Sequence, residues 1–335
     1  MATSLPFLNF PLLVSEQVLQ NLELPDLFDL SKCSKRTFNV IKRRLRRPAS
    51  MIIYIRNCVH LRVFCEGNSE ETEWIFHQHR EDYKTFYMVG KIPQKTDRNR
   101  VYTVRDVLKV AEYLLDLFNG FVSVINLRCD RRMILNDLLS IDVFRTIQTL
   151  RIAWGEVTHT ELRKILSGFT LEEMSLVCTT APNFSIDQPI KCNHFDASNG
   201  SWVTLEILQN LDCRIAVIRN NSFTDKFLNE YLKTWLAGSD TKLEYFKVTC
   251  NQTRFELAKI VEGIPNTPGV PKRPGAITTE NRRLGICFPY ENGVDLKRES
   301  DGMLATVVTF HEEGTNDGFL FVVWHVPDPN RVVVG

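Results

Sequence analysis

Phe10-Pro11-Leu12-Leu13-Val14 opens the stretch that decides how this chain folds. Val18-Leu19, Leu22, Pro25-Asp26-Leu27, Leu30 and Cys33-Ser34-Lys35-Arg36-Thr37-Phe38 follow it. Pro11 suits the first turn of a helix, where a missing N–H costs nothing. Val14, Val18, Leu19 and Leu22 recur at i, i+4, i+5 and i+8, one stripe of a helix. Glu16, Gln17, Gln20 and Asn21 take the other face. Pro25 interrupts the pattern, and Pro25-Asp26 restarts a second short helix carrying Leu27 and Leu30. Ser34 is placed to cap a third helix with Phe38, Ile41 and Leu45 on one side. About forty residues with three short apolar stripes are too few to close a core alone. The segment is therefore expected to bury its open face against something else.

These residues resemble an F-box. That family begins with Leu-Pro, here Phe10-Pro11. It continues with a Val/Ile-Leu pair, here Val18-Leu19, and a later Cys-x-Arg/Lys step, here Cys33-Ser34-Lys35-Arg36. Leu13 stands where an acidic residue is common, Ser15 where a Leu is common, and Phe38 near a position often held by Trp. The resemblance implies docking on a Skp-type adaptor within a cullin ubiquitin-ligase complex. The apolar stripes that would supply the contact are Pro11, Leu12, Val14, Val18, Leu19, Leu22, Leu27 and Leu30.

Composition bounds the alternatives. A chain of 335 residues is expected to form about two domains. Hydrophobic content of 44% and charged content of 24% are those of a globular protein. A net charge of +1 argues against a dedicated nucleic-acid or membrane-surface protein. Nine cysteines are scattered without a Cys-x-x-Cys pair, which is neither zinc spacing nor a disulfide scaffold. A reducing interior, cytoplasmic and/or nuclear, is the expected setting. Pro6, Pro11 and Glu16 without a basic leader do not read as a signal peptide. No run of eighteen apolar residues predicts a membrane-spanning helix. The basic run Lys42 to Arg47 has two readings: the solvated end of the third helix, favoured there by the helix dipole, or a nuclear or nucleic-acid patch.

Taken in order, residues 5–48 form the first module and 51–121 a mixed α/β connecting region. Met51-Ile52-Ile53-Tyr54-Ile55 and Leu61-Arg62-Val63-Phe64-Cys65 read as paired strands, Trp74-Ile75-Phe76 and Phe86-Tyr87-Met88-Val89 as further strands. Lys91 to Arg100, with Pro93, reads as a loop. Arg105 to Asn119 is a predicted helix ended by Gly120.

Residues 122–261 carry an L-x-x-L-x-L-like frame six times, starting at 122, 147, 171, 192, 212 and 243. Helical segments lie between, at Thr160 to Leu166, Val203 to Leu211 and Thr224 to Ala237. A β–α unit recurring every 20 to 30 residues is the period of a leucine-rich-repeat solenoid, here irregular. The competing reading is a non-solenoid α/β sheet with chance spacing. In a repeat array the six strands would be parallel neighbours. Two outward columns would then face solvent as a concave binding surface. The central column is Asn126, Arg151, Ser175, Asp196, Ala216 and Lys247, and the one before it Val124, Thr149, Glu173, His194, Arg214 and Tyr245. Asn126, Arg151, Asp196, Arg214, Tyr245 and Lys247 are the expected contacts to a target protein. Residues 262–283, with Pro265, Pro268, Pro271 and Pro274, form a linker or loop. An antiparallel β meander follows over 284–335, turning at Asp301-Gly302. The fold class is α/β within an α+β whole.

The repeating β–α stretch resembles the type 2 F-box-associated domain of a large nematode family. So do the late Arg298-Glu299-Ser300-Asp301-Gly302 turn and the run from Phe319 to Trp324. In that family this domain is taken to select the protein to be ubiquitylated, and not to be catalytic. No phosphate loop, nucleophile elbow, dinucleotide fingerprint or His-Glu-x-x-His motif is present. No cofactor and no metal are expected. His77-x-His79 lacks a third ligand at useful spacing and reads as two surface histidines. Cys129 and Cys178 sit in strand frames and read as packing rather than as nucleophiles.

Overall fold

The computed structural model describes residues 11–44, 49–56, 58–65, 72–78, 85–90, 97–128, 132–238, 242–250, 254–265, 293–311 and 317–324. These form two compact units. One comprises Met1–Trp154 with Gly168–Leu171, the other Gly155–Ser167 with Glu172–Gly335.

The first unit opens with α1 (Leu12–Gln20), α2 (Leu24–Ser31) and α3 (Lys35–Arg44). Pro11 is the residue before α1 rather than its first turn. Ser34 caps α3 as expected, its Oγ accepting the Thr37 N–H at 3.0 Å. Then come β1 (Ala49–Ile55), β2 (Cys58–Cys65), β3 (Thr72–Gln78), β4 (Thr85–Gly90) and β5 (Asp97–Thr103). They are joined in order by antiparallel pairing. The expected loop over Lys91 to Arg100 thus ends in strand: β5 begins at Asp97, where pairing with β4 overrides a polar sequence. Thr103 and Asp106 close a capping box on α4 (Val104–Leu117). Asn119, not Gly120, takes the left-handed turn beyond it, with φ 47°. β6 (Phe121–Leu127), α5 (Arg132–Leu139) and β7 (Thr146–Val157) follow. β1, β6 and β7 are parallel neighbours.

The three helices do not stand alone. Phe28 packs edge-on against Trp74 at 6.1 Å and Tyr113 at 5.7 Å, and Phe38 lies 5.2 Å from Tyr113. The Ser31 Oγ and Tyr113 hydroxyl share a hydrogen bond of 2.7 Å. Lys42 pairs with Asp116, and Arg44 with Glu16 at 2.8 Å. The undersized module finds the missing half of its core on β3 and α4. Two cations of the basic run are thereby spent on local acids, while its last residues lie outside those described.

The second unit contains α6 (His159–Ser167), β8 (Thr170–Thr180), β9 (Ile190–Lys191), β10 (His194–Ala197), α7 (Leu205–Gln209), β11 (Leu211–Asp212), β12 (Ile215–Arg219), α8 (Asp225–Leu236), β13 (Tyr245–Cys250), α9 (Leu257–Ile260), β14 (Val294–Lys297), β15 (Leu304–His311) and β16 (Asp317–Trp324). β8, β10, β12 and β13 are parallel neighbours in chain order, as the frames expected. Threonines cap α7 and α8, the Thr204 and Thr224 Oγ1 atoms accepting the Ile207 and Phe227 N–H groups. β16, β15 and β14 then continue antiparallel from β13, which is the expected meander.

What these elements establish is a mixed α/β sheet with antiparallel strands. α7 is one turn and a half, β9 and β11 form a separate two-stranded sheet, and antiparallel strands extend each parallel block. Register also corrects the fifth frame. His194 pairs with Ile215 and Asp196 with Val217, so the outward positions are Ile215 and Val217 rather than Arg214 and Ala216. The slip has a cause: Asp212 is drawn into β11 opposite Lys191, and β12 starts only at Ile215.

A buried cation holds the meander's turn. Arg298 is 0% exposed. It donates from Nε and Nη2 to Asp301 at 3.0 and 2.7 Å and from Nη1 to the Trp235 carbonyl at 3.3 Å. Its guanidinium lies 4.6 Å from the Trp235 ring centroid. Gly302, with φ 73°, supplies the left-handed step that lets the loop close over it. No helix among the described residues is long and apolar enough to cross a membrane.

Candidate functional site

The residues of α1 separate into two faces. Leu19, 1% exposed, points inward with Ser15. Val18, its neighbour, lies about 100° round the helix and faces out. Leu13 at 73%, Val14 and Val18 are the exposed large apolar residues of this helix. With Gln17, Asn21 and Leu22 they line a shallow open groove. The single stripe inferred from Val14, Val18, Leu19 and Leu22 is therefore corrected. Leu19 and Leu27 are core residues, Leu30 and Leu22 are half-buried, and Pro11 is exposed. The side chain of Leu12 lies outside the description. Leu13 was missed because its family position favours an acid. Its place beside Val14, one turn before Gln17 and Val18 respectively, carried the signal.

The second candidate surface is the sheet face of the second unit turned away from its helices. Register lays it out in rows. Glu173, His194, Ile215, Tyr245 and Val322 form one, and Ser175, Asp196, Val217, Lys247 and Leu320 the next. Chemistry changes along each row. At the β8 and β10 end the groups are polar and ionised. Arg219 clasps Asp196, with Nη1 2.5 Å from Oδ1 and 2.6 Å from Oδ2. Arg214 forms a two-pronged pair with Glu244 at 2.8 Å for each bond. Burial pushes the His194 imidazole below its ordinary value, against the opposing pull of Glu173 and Asp196. At the β13 to β16 end, Val217, Tyr245, Val308, Leu320 and Val322 form a buried apolar cluster edged by Ile215, Phe310 and Trp324. Phe310 lies on Gly318, where an added Cβ would meet its ring at 2.0 Å, and the Lys247 ammonium stands 5.0 Å from the same ring centroid.

The expected target contacts divide accordingly. Arg151 is exposed and Asp196, Arg214 and Lys247 are half-exposed. Tyr245, 6% exposed, belongs to the apolar cluster, so its place in the outward column does not put it in solvent. Asn126 is also buried, at a register position flanked by Tyr54 and Arg151. Arg151 and Asn126 belong to the first unit and the other four to the second.

Burial argues against a nucleophilic Cys178, whose thiol is pushed up to about 11. Cys129 and His79 lie outside the described residues. Among the described residues, no group of three His, Cys, Asp or Glu side chains has the geometry to hold a metal ion.

Comparison with known proteins bears on both surfaces. The F-box domain family matches residues 7–47, and the F-box associated family matches residues 183–248. The chain is 23% identical over 289 residues to the E3 ubiquitin-protein ligase hecw-1 of Caenorhabditis elegans, covering 74% of this chain and 23% of that protein. The chain thus spans under a quarter of that relative. It is 22% identical to the C. elegans protein F59B2.8, covering 99% of this chain and 80% of that one. It is 23% identical to the C. elegans Skn-1 dependent zygotic transcript 15 protein, covering 76% and 81%. No solved structure matches. The N-terminal helices thus match the F-box domain family, part of the second unit matches the F-box associated family, and these three relatives are C. elegans proteins.

Proposed function

We propose that the chain is the substrate-recognition subunit of a cullin-type ubiquitin ligase. In this reading α1 to α3 dock on a Skp-type adaptor, and the second unit holds a target protein. The observation that carries it is the exposed apolar face of α1. A module that buries Leu19, Leu27, Phe28 and Ile41 leaves Leu13, Val14 and Val18 in water. Apolar residues grouped on one exposed face mark a protein contact, and this face lies within the F-box match. The chain performs no bond chemistry on the target in this reading; it lends proximity to a ligase assembled in the cytoplasm or nucleus.

For the target we assign the polar half of the second unit's open sheet face, with Asp196, Arg219, Arg214 and Lys247. The β–α units are taken as an irregular, leucine-rich-repeat-like array presenting that face. The test is a pull-down with a Skp-type adaptor. Leu13→Asp with Val18→Asp should abolish capture while the melting temperature holds, since both residues are already in solvent. Capture at the wild-type level would refute the assignment.

A further inference from the structure

Strands β2 and β3 hold a hydrogen-bonded chain unrelated to either surface above. Cys58, His60 and Arg62 alternate with buried Val59, Leu61 and Val63, so they share the strand face turned from the core. Cys58 Sγ lies 2.8 Å from His60 Nε2. His60 Nδ1 lies 2.8 Å from Glu73 Oε1. Arg62, opposite Glu73 in the β2–β3 register, donates its Nε–H to the same oxygen at 2.8 Å. The site is partly open: Cys58 is half-buried, and the His60 and Glu73 side chains retain 27% and 17% of their exposure.

The direction of each bond follows from charge. Burial would raise the Glu73 carboxyl, but hydrogen bonds from His60 and Arg62 outweigh it and hold the group below its ordinary range. An ionised carboxylate only accepts, so the proton between His60 and Glu73 sits on Nδ1. Nε2 then carries the lone pair and faces the thiol, which donates to it. Burial pushes the Cys58 thiol up, against the pull of Arg56, so the resting group is a thiol with a base beside it. A nucleophile, a base within hydrogen-bond reach and a third group orienting that base are the three parts of an activated nucleophile.

We propose that Cys58 is a base-assisted thiol that exchanges with low-molecular-weight disulfides of the glutathione class. His60 Nε2 takes the proton as Sγ attacks one sulfur of R–S–S–R. A Cys58–S–S–R bond forms, the original S–S bond breaks, and its electron pair leaves with the second sulfur as RS⁻. His60 returns the proton to that sulfur, giving RSH. Cys58 is oxidised to the mixed disulfide and the leaving half is reduced. Glu73 stabilises the imidazolium between the two transfers. Exchange keeps the developing charge on sulfur, so it needs no oxyanion donors, which acyl transfer at the same thiol would require.

The experiment treats the reduced full-length chain with oxidised glutathione and follows each cysteine by peptide mass spectrometry. Cys33 is the internal comparison: it is exposed, and its Sγ donates to the Asp29 carbonyl at 3.7 Å rather than to an imidazole. Cys58 should be modified first. His60→Gln should slow it about a hundredfold, the scale of general-base assistance, and leave the Cys33 rate in the same molecules unchanged. Glu73→Gln keeps the shape of the pair and should shift the pH profile of Cys58 modification without abolishing it. Cys33 reacting ahead of Cys58, or a Cys58 rate indifferent to both substitutions, would overturn the proposal. A variant that misfolds betrays itself by modification of buried Cys178 and Cys192. The conservative Glu73→Gln profile then decides.

Discussion

The first helix and the open sheet face of the second unit treat their apolar side chains in opposite ways. On α1, Leu13, Val14 and Val18 are left in water while the rest of the three-helix module is anchored by Phe28, Ser31 and Phe38 to its own unit. On the sheet face, Val217, Tyr245, Leu320 and Val322 are already buried, and what remains outside is mostly charged or polar, with Val177 at 37% exposed and Ile215, Phe310 and Trp324 half-buried. The first arrangement keeps a hydrophobic contribution to binding in reserve, of the order of 1 to 4 kcal/mol for each anchor truncated at an interface. The second has used its hydrophobic material for stability and offers ion pairs, which discriminate among partners more than they hold them. In the proposed reading, a constant adaptor and a selected target call for that division.

The contrast predicts where substitutions act. Arg298→Ala should have the largest effect on stability. It deletes a fully buried side chain and opens the space against Trp235, costing about 3 kcal/mol. Urea denaturation should show the loss in the second unit, with adaptor capture retained. An unchanged denaturation midpoint would mean the turn is held by its backbone bonds alone. Leu19→Ala comes next, at about 2 to 3 kcal/mol for a buried leucine, and should weaken adaptor capture only through unfolding. It is the counterpart of the Leu13 and Val18 pair, whose loss of capture comes without unfolding. If Leu19→Ala lost capture while its melting temperature held, the two faces of α1 would not be distinct. Smallest is the response of His194 to pH. Its folded-state value lies below the ordinary 6.5, so the unfolded chain takes up the proton first. The stabilising contribution is complete above 6.5 and is lost as pH falls below it toward the folded value. Glu173 and Asp196 face it and oppose the shift, while the Arg219 cation adds to it. Melting of wild type and His194→Gln at about pH 7.5 and about pH 5.5 should converge at the lower value. Parallel loss in both proteins would place the pH dependence elsewhere.

Much of this was legible in residue pattern. The restart at Pro25, the Ser34 cap, the β1–β2 hairpin, the helices after Thr158, Thr204 and Thr224 and the late meander all rest on short-range signals. Those signals act within one turn or one hairpin, and the chain obeys them. What was not legible depends on partners distant in sequence. Asp97 to Arg100 look like loop until β4 pairs with them. Asn126 and Tyr245 follow the correct alternation yet are buried by neighbours contributed by other strands. A period-2 pattern states which way a side chain points, not whether something else lies over it. The Arg298 turn was recognised as a feature, but its charge being fully enclosed depends on Trp235, sixty-three residues earlier.

The strand order of the second unit also governs the sequence of events during synthesis. β13 is made by residue 250, but its free edge pairs with β16, which begins only at Asp317. Until that strand leaves the ribosome, the backbone donors and acceptors of Tyr245 to Cys250 have no partner on that side. An unpaired apolar edge is a template for pairing with other chains. At about 5 to 20 residues per second the exposure lasts several seconds. β14 and β15, although made earlier than β16, reach the parallel strands only through it. A chain stopped short of Phe319 would therefore lose more than one strand: its meander would be left without an attachment, and its β13 edge would remain open to the next nascent chain.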